Sequence, residues 1–242
     1  MSKLTAKVIA QPHLFPHLCP VMYELYRTYY DGTSENFFWN DLSQKDYAIL
    51  LWNPEGQLGG FSTLSILSRQ WEGDRIRAIF SGDTIIHRQY WGEQTLPLAW
   101  CRLAGQIKAQ HPHTPLYWFL IVKGYRTYRY LPLFAKVFYP TYRYPTPPPM
   151  QAIADALATQ KFGEYYNPKT GLIRFPTSRG HLRGNWADIK AGIRKKPDVR
   201  YFLERNPDYY KGDELVCLME LRESNLRSHA RRGFLAGLQH PL

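Results

Sequence analysis

Two hydrophobic periods meet in one stretch of this chain, Arg75 to His111, and the other elements order themselves around it. Arg75–Ile86 (RIRAIFSGDTII) is rich in β-branched and aromatic residues and predicts a strand. Leu96–Ile107 places Leu96, Ala99, Trp100, Leu103 and Ile107 at helical spacing. Thr95 stands where an N-cap belongs, and Pro97 falls in the first turn, where its missing N–H does no harm. Between strand and helix lies a glycine-bearing loop, His87–Gln94 (HRQYWGEQ). A tight strand-to-helix loop leaves the first helical N–H groups unpaired, which favours an anion. The same pattern also fits a plain βα unit that binds nothing.

Upstream, Lys7–Ala10 predicts a short strand, and Pro12, Pro16 and Pro20 interrupt any regular element after it. Val21–Tyr30 carries Met22, Leu25, Tyr26 and Tyr29 on one helical face and stops at Asp31-Gly32. Ser34–Leu42 predicts a second short helix, capped by Ser34, with Phe37, Phe38 and Leu42 buried. Tyr47–Trp52 and Gln57–Leu67 are strands joined by the turn Asn53-Pro54-Glu55-Gly56. Gly59-Gly60 within the second marks a bulge or a close approach. Trp71–Asp74 turns again into the Arg75 strand.

Downstream, Leu116–Val122 (LYWFLIV) is apolar at every position, the pattern of a central strand buried on both faces. Tyr125–Lys136 reads as a helix shortened or kinked by Pro132. Val137–Tyr144 predicts a strand, and Pro145–Pro149 a stiff spacer. Met150–Gln160 is a helix and Leu172–Phe175 a short strand. Arg179–Lys196 is basic and irregular, and Pro197–Arg205 is helical up to the break at Asn206-Pro207. Asp213–Leu221 is the last strand, and the tail from Arg222 reads as frayed or loosely packed. No internal repeat is present.

Composition narrows the partners more than the fold. With 242 residues the chain is long enough for one large domain, or a domain with an insertion. A net charge of +11 attracts acidic partners: nucleic acid, an anionic membrane, a phosphorylated cofactor or an acidic carrier protein. Aromatics make 15% of residues, 18 of them tyrosine, which suits a long groove or a tyrosine-built core. Cys19, Cys101 and Cys217 are sparse and show no CxxC, which argues against disulfides and a zinc site. His13, His17, His111, His113 and His181 have no ligand spacing, so no metal is expected. No long apolar run comes after Lys3, and no window approaches the roughly 18 apolar residues of a membrane span. A cytoplasmic protein is expected.

The order helix, helix, β-hairpin, strand, phosphate loop, helix, apolar strand, tyrosine-rich helix, strand resembles the GNAT acyltransferase superfamily over about residues 5 to 144. That family's pyrophosphate loop is Gln/Arg-x-x-Gly-x-Gly/Ala. Gln89-Tyr90-Trp91-Gly92-Glu93-Gln94 matches its first two fixed positions, and Gln94 replaces the last small residue. SGDTIIHRQYWGEQ, KGYRTYRYLPLF, and FLERNP followed by GDELVCL further resemble cyanobacterial GNAT-like enzymes, some of which attach fatty acyl groups to lysine or ornithine side chains of ribosomally made peptides. The implied fold is α/β (α+β), a mixed sheet with splayed central strands. Residues 1–144 form the acyltransferase core, 145–212 an insertion or subdomain, and 213–242 the last core strand and tail. The implied co-substrate is acyl-CoA or an acyl carrier protein, each presenting a phosphopantetheine thioester, held by Ile85, Ile86, Arg88, Gln89, Trp91, Gly92, Glu93 and Gln94. The N–H groups of Trp91, Gly92 and Glu93 would meet the phosphates. The acceptor is an amine. A carrier-protein-dependent synthase of acylated small amines uses the same fold.

Acyl transfer to an amine needs a proton acceptor for the amine and a proton donor for the leaving thiolate. Ser81, Asp83, Ile85 and His87 alternate onto one face of their strand, so Asp83 or His87 is the candidate base, or else each holds a loop or strand end. The resemblance implies a tyrosine after the apolar strand as the acid; Tyr128 is the first choice and Tyr125 the second, the rest being packing. Lys123, Arg126 and Arg129 either dock an acidic carrier or are solvated charges. Two other classes remain. One is a basic, aromatic surface that stacks single-stranded nucleic acid, disfavoured because the basic residues are scattered. The other is a non-catalytic GNAT-like scaffold.

Overall fold

The computed structural model describes residues 4–177 and 179–242. In chain order it holds β1 (Thr5–Ala10), α1 (Leu18–Arg27), β2 (Tyr30–Asp31), α2 (Glu35–Leu42), β3 (Tyr47–Trp52), β4 (Leu58–Trp71) and β5 (Asp74–Ile86). Next come α3 (Thr95–Gln110), β6 (Leu116–Val122), α4 (Tyr125–Tyr128), α5 (Tyr130–Phe134) and α6 (Pro148–Phe162). The last third holds β7 (Tyr166–Asn167), β8 (Leu172–Ile173), β9 (His181–Leu182), α7 (Gly184–Ala187), α8 (Ala191–Arg194), α9 (Pro197–Arg205), β10 (Glu214–Glu220) and α10 (Ser228–Leu238).

Eight strands among the described residues make one sheet in the order β1-β3-β4-β5-β6-β10-β8-β7. Its single parallel pair is β5 with β6; the other neighbours are antiparallel. That pair lies mid-sheet, and α3 provides the crossover that parallel strands require. Its pairing runs from Arg77↔Leu116 to Ser81↔Leu120 and stops. Beyond that point β5 continues beside β4 as far as Ile86↔Gly60, while Ile121 and Val122 of β6 pair with β10. The two central strands thus splay, as the resemblance implies.

Alternation along β6 sends Leu116, Trp118, Leu120 and Val122 into one core and Tyr117 and Phe119 into another, so the all-apolar run is buried on both faces. The first core takes α3, α5, α9 and α10. The opposite face is shared: α1 and α2 cover Ala48, Leu50, Phe61 and Ile85, and α6 covers Ala78, Phe80, Phe119 and Leu218. A helix from residues 145–212 therefore closes half of one sheet face. β7 and β8 from the same segment extend the sheet beyond β10.

Several sequence expectations change. Thr95 is the first helical residue, not the cap: Gln94 holds the N-cap position without a side-chain bond, and the Thr95 hydroxyl donates to the Leu4 carbonyl at 3.4 Å. Ser34 does cap α2, accepting from the Phe37 N–H at 3.2 Å, but Phe37 itself is exposed. Val137–Tyr144 is not a strand. Only single bridges form there, notably Tyr139↔Leu218, and Pro140 next to it has no N–H with which to extend a ladder. The glycines inside β4 mark close approach: a Cβ on Gly59 would lie 2.7 Å from both Leu4 and Tyr90 side chains.

The tail from Arg222 is the largest departure. It forms α10, which packs along α3 with Phe234 buried. Glycines set that contact. A Cβ on Gly105 would sit 2.0 Å from the Phe234 carbonyl oxygen, and one on Gly237 2.0 Å from that of Arg102. The helices touch backbone to backbone, so a tail poor in large apolar residues still docks. Gly237→Ala should therefore cost about 3 kcal/mol of unfolding free energy, because backbone must move to admit the methyl group. Gly192→Ala, with open space around it, should be neutral or gain up to about 1 kcal/mol. Urea unfolding of the two variants measures both, and equal effects would contradict the close packing.

Candidate active site

The gap between β5 and β6 opens into two cavities. Its cause is local. Ser62 pairs with Thr84 and Leu64 with Ser81, so Thr63 alone opposes both Gly82 and Asp83. This is a β-bulge, which bends and twists its strand. Gly82 is needed there, since a Cβ would lie 2.6 Å from Thr63 Oγ1 and 2.7 Å from Lys45 Cε. The extra residue also breaks the alternation expected from the sequence. Ser81 faces α3, where its hydroxyl accepts from Trp118 Nε1 at 2.8 Å. Asp83 lines the cavity on the opposite side, and Ile85 is buried beside α1 and α2.

The first cavity, ≈ 180 Å³, is the charged one. Asp83, Asp41 and Glu214 line it with Lys45, Lys123, Lys161 and Arg179, and Tyr26 and Tyr30 close one side. Two of the acids are paired. Lys45 holds Asp41 at 2.6 Å, and Lys123 holds Glu214 at 3.5 Å. Asp83 has no hydrogen bond or ion pair among the described residues. Burial pushes its carboxyl up to about 6; the charge of Asp41 adds to this, and Lys123 and Lys45 partly offset it. Burial also raises Glu214. Tyr30 is held well above the ordinary phenol range by burial and by the charges of Asp83 and Glu214, so it keeps its proton. Lys161 is pushed down to about 8, mainly by burial and next by Lys45.

The second cavity, ≈ 490 Å³, lies between the loop before α3 and the start of α4. Ile85, Ile86, Trp91, Gly92, Glu93 and Gln94 line it, facing Tyr125, Arg126 and Arg129. Leu182, Trp186 and Ala187 contribute another wall. Arg126 lies 5.1 Å from the Trp91 ring centroid, and its Nη1 donates to the Trp186 carbonyl at 3.0 Å. Tyr30, Thr84 and Thr127 line both cavities, so the splay joins the two. A smaller apolar pocket at its base is walled by Trp100, Trp118 and Phe134. Trp100 and Trp118 pack with ring centroids 4.4 Å apart, a contact of about 1 kcal/mol that stiffens this wall.

The sequence candidates divide accordingly. Asp83, Tyr125, Ile85, Ile86, Trp91, Gly92, Glu93 and Gln94 come together around the splay. His87, Arg88, Gln89 and Tyr128 line neither cavity. The His87 ring packs edge-on to Tyr90, with Nδ1 buried and unpaired. Arg88 and Gln89 are exposed, and the Arg88 N–H is bonded to the Tyr29 hydroxyl. Tyr128 is fully buried, its hydroxyl donating to the Pro140 carbonyl at 2.8 Å and its ring packed on Phe138, Tyr201 and Phe202. Lys123 is an internal partner of Glu214, not a docking charge. The loop amides also differ from expectation. The Trp91 N–H donates to Arg88 O and that of Glu93 to Tyr90 O, both at 3.2 Å. Gln94 Nε2 turns back onto Gly92 O at 3.1 Å. The Trp91 and Glu93 amides are thus spent within the loop, whereas the Gly92 N–H has no hydrogen bond among the described residues, and Arg126 and Arg129 add positive charge at this cavity.

Sequence reading missed Tyr30, Lys45, Lys161 and Glu214. A glycine inside a strand, Gly82, was the available signal for the bulge that aims Asp83. No group of three or more potential metal ligands occurs among the described residues, and no helix there is long and apolar enough to cross a membrane.

No protein-family model matches this sequence, and neither does any curated protein. Solved structures with a similar arrangement include a probable N-acyltransferase from Enterococcus faecalis V583, at 16% identity and TM-score 0.40, over 55% of this chain and 33% of that one. The GNAT family N-acetyltransferase YhbS of Escherichia coli, solved with CoA, gives 12% and 0.36, over 51% of this chain and 64% of that one. A GCN5-related N-acetyltransferase from Sphaerobacter thermophilus gives 13% and 0.32, over 94% and 91%. This chain spans about a third of the E. faecalis protein's length. Likenesses this distant assign no activity.

Asp83 also leaves a mark on stability. A carboxyl whose folded value is raised favours the folded state while protonated. That advantage is complete below the ordinary value of 3.8 and is lost as pH rises through about 6. Relative to Asp83→Asn, the unchanged protein should therefore lose about 2 kcal/mol of unfolding free energy between pH 4 and pH 7. Parallel pH profiles from urea titrations would refute the buried, unpaired carboxyl.

Proposed function

We propose that this protein is a GNAT-like N-acyltransferase that moves an acyl group from a phosphopantetheine thioester to an amine. The observation that carries the reading is the splay after Ser81↔Leu120, which joins a cavity with arginines and an aromatic loop to one holding an unpaired carboxyl. In this reading the second cavity takes the donor, with Arg126, Arg129 and the unbonded Gly92 N–H facing its phosphates. The pantetheine arm enters the splay, where neither strand end is bonded to the other. The first cavity takes the acceptor.

Asp83 accepts the proton of the incoming ammonium. The freed amine attacks the thioester carbonyl, the C–N bond forms and the C–S bond breaks. The attacking nitrogen gives up its second proton to solvent as the amide forms; Tyr30 gives its proton to the departing thiolate and recovers the one held by Asp83, so one proton per turnover reaches solvent. Tyr30 suits the task because it lines both cavities and stays protonated. Positioning in the splay supplies much of the remaining rate. Coenzyme A and an acyl carrier protein present the same arm. A fatty acyl chain would leave along the apolar side of the donor cavity, past Leu133 and Phe134. A lysine or ornithine side chain of a ribosomally made peptide is one acceptor that would fit as a single extended arm. The nucleic-acid reading is less favoured, because Trp100, Trp118, Tyr117, Tyr128 and Tyr209 are buried packing residues.

Amine-dependent thiol release from acyl-CoA or acyl carrier protein, with product mass checked, tests the proposal. Asp83→Asn should lower kcat/KM about 100-fold, and activity should rise with pH around 6 as Asp83 ionises. Tyr30→Phe should cost about 10- to 100-fold and Tyr128→Phe less than about 3-fold, since the latter hydroxyl meets only a backbone carbonyl. No release with either donor, or a larger loss at Tyr128 than at Tyr30, would reject this assignment.

A further inference from the structure

The acceptor cavity carries more positive charge than its own acids use. Lys45 and Lys123 are spent on Asp41 and Glu214. Lys161 and Arg179 line the same cavity and have no ion pair among the described residues. Both rest on aromatic faces. Lys161 Nζ is 4.4 Å from the Phe80 ring centroid, and the Arg179 guanidinium is 4.0 Å from that of Phe175. A second ammonium, Lys45 Nζ, lies 5.7 Å from the same Phe80 ring. Two lysines sharing one ring repel each other unless an anion joins them. Internal charge therefore leaves one carboxylate, Asp83, and two cations, Lys161 and Arg179, without partners in a space of ≈ 180 Å³.

We infer that the acceptor is a small amine that also carries a carboxylate, a free amino acid, whose amine meets Asp83 and whose carboxylate meets Lys161 and Arg179. The inference rests on the acyl-transfer reading only in calling this cavity the acceptor's. An amine without an acid group would satisfy Asp83 and leave both cations unpaired. An acid without an amine would do the reverse. A zwitterion completes both, through charge-assisted hydrogen bonds, which are stronger than neutral ones. The guanidinium fork of Arg179 matches a planar carboxylate. Lys161 ends α6 and Arg179 lies past β8, so the assignment also gives residues 145–212 a role at the site.

Calorimetric binding without donor tests this separately from turnover. The probes are free amino acids, their carboxamides, the matching amines without the carboxyl group, and a lysine-containing peptide. At least one free amino acid should bind about 10- to 100-fold more tightly than its amide and its amine. Lys161→Gln should reduce that preference to within about 3-fold. Lys161→Arg, which keeps the charge, should retain it, with both variants checked for an unchanged thermal midpoint. Amides or amines binding as well as acids, a preference that survives Lys161→Gln, tightest binding by the peptide, or no binding of any acid at about 10 mM would each overturn the inference. Acid-selective binding without thiol release from any donor would instead sink the acyl-transfer reading and leave the anion site standing.

Discussion

One extra residue in one strand sets the rest of the site. Thr63 faces both Gly82 and Asp83, and from that bulge β5 turns away from β6. Without it, the parallel ladder could continue past Ser81↔Leu120 and close the gap joining the two cavities. The bulge is stable because its neighbours leave no room for a side chain at Gly82. The strands then splay at low cost, because each still has another partner. β5 bonds to β4, and the end of β6 bonds to β10. The backbone groups left facing the gap are available to a ligand rather than orphaned in a dry core.

The same bulge creates an electrostatic problem that the surrounding helices answer. Placing Asp83 on the side of α1 and α2 buries a carboxyl near Asp41 and Glu214. Three acids in so small a space are tolerable only with cations close by, and Lys45 and Lys123 come from the loop after α2 and the end of β6. Each spends its charge on one acid. Lys45 and Lys123 offset only part of the effect of burial on Asp83, whose value stays raised. A base must be charged at neutral pH yet keep some proton affinity, and a carboxyl near 6 meets both conditions.

Much of the fold was legible because it rests on periodicity. The apolar run Leu116–Val122, the hairpin strands and the face Leu96–Ile107 each report their burial directly, and their order yields the mixed sheet. Contacts made by absent side chains were not legible. α10 docks through Gly105, Gly233 and Gly237, and glycine reads as a helix breaker in a window with few large apolar residues. The candidate site was legible in part for the same reason. Asp83 and the residues Ile85, Ile86 and Trp91–Gln94 could be named because they lie on the strand and loop that the pattern defines. The face of Asp83 could not, since a bulge inverts side-chain parity. Tyr128 was placed ahead of Tyr125 by its distance past the apolar strand, yet its hydroxyl is spent on Pro140 O. Lys161 and Tyr30 lie far apart in sequence, and only tertiary packing brings them to one cavity.

The small β2–β9 pair shows why the distant segment belongs to this centre. Tyr30 pairs with Leu182 and Asp31 with His181, and Arg183 Nε holds the Asp31 carboxylate at 2.7 Å. Two-residue strands have little stability alone. Here they are held by the wall that Leu182 and Trp186 form against the donor cavity and by Tyr29 packed on Trp186 at 5.0 Å. Tyr30, lining both cavities, is thereby fixed from two directions, by α1 through Tyr26 stacked at 4.7 Å and by β9 through its backbone. A proton donor shared by two sites needs such fixing, because a displacement of about 1 Å is enough to cost a large factor in rate. The segment 145–212 therefore contributes on three fronts: α6 closes a sheet face, Leu182 and Trp186 wall the donor cavity, and Lys161 and Arg179 complete the charge of the acceptor cavity. Its removal would leave the splay open to water on both sides, and the low-dielectric surroundings that raise Asp83 would go with it.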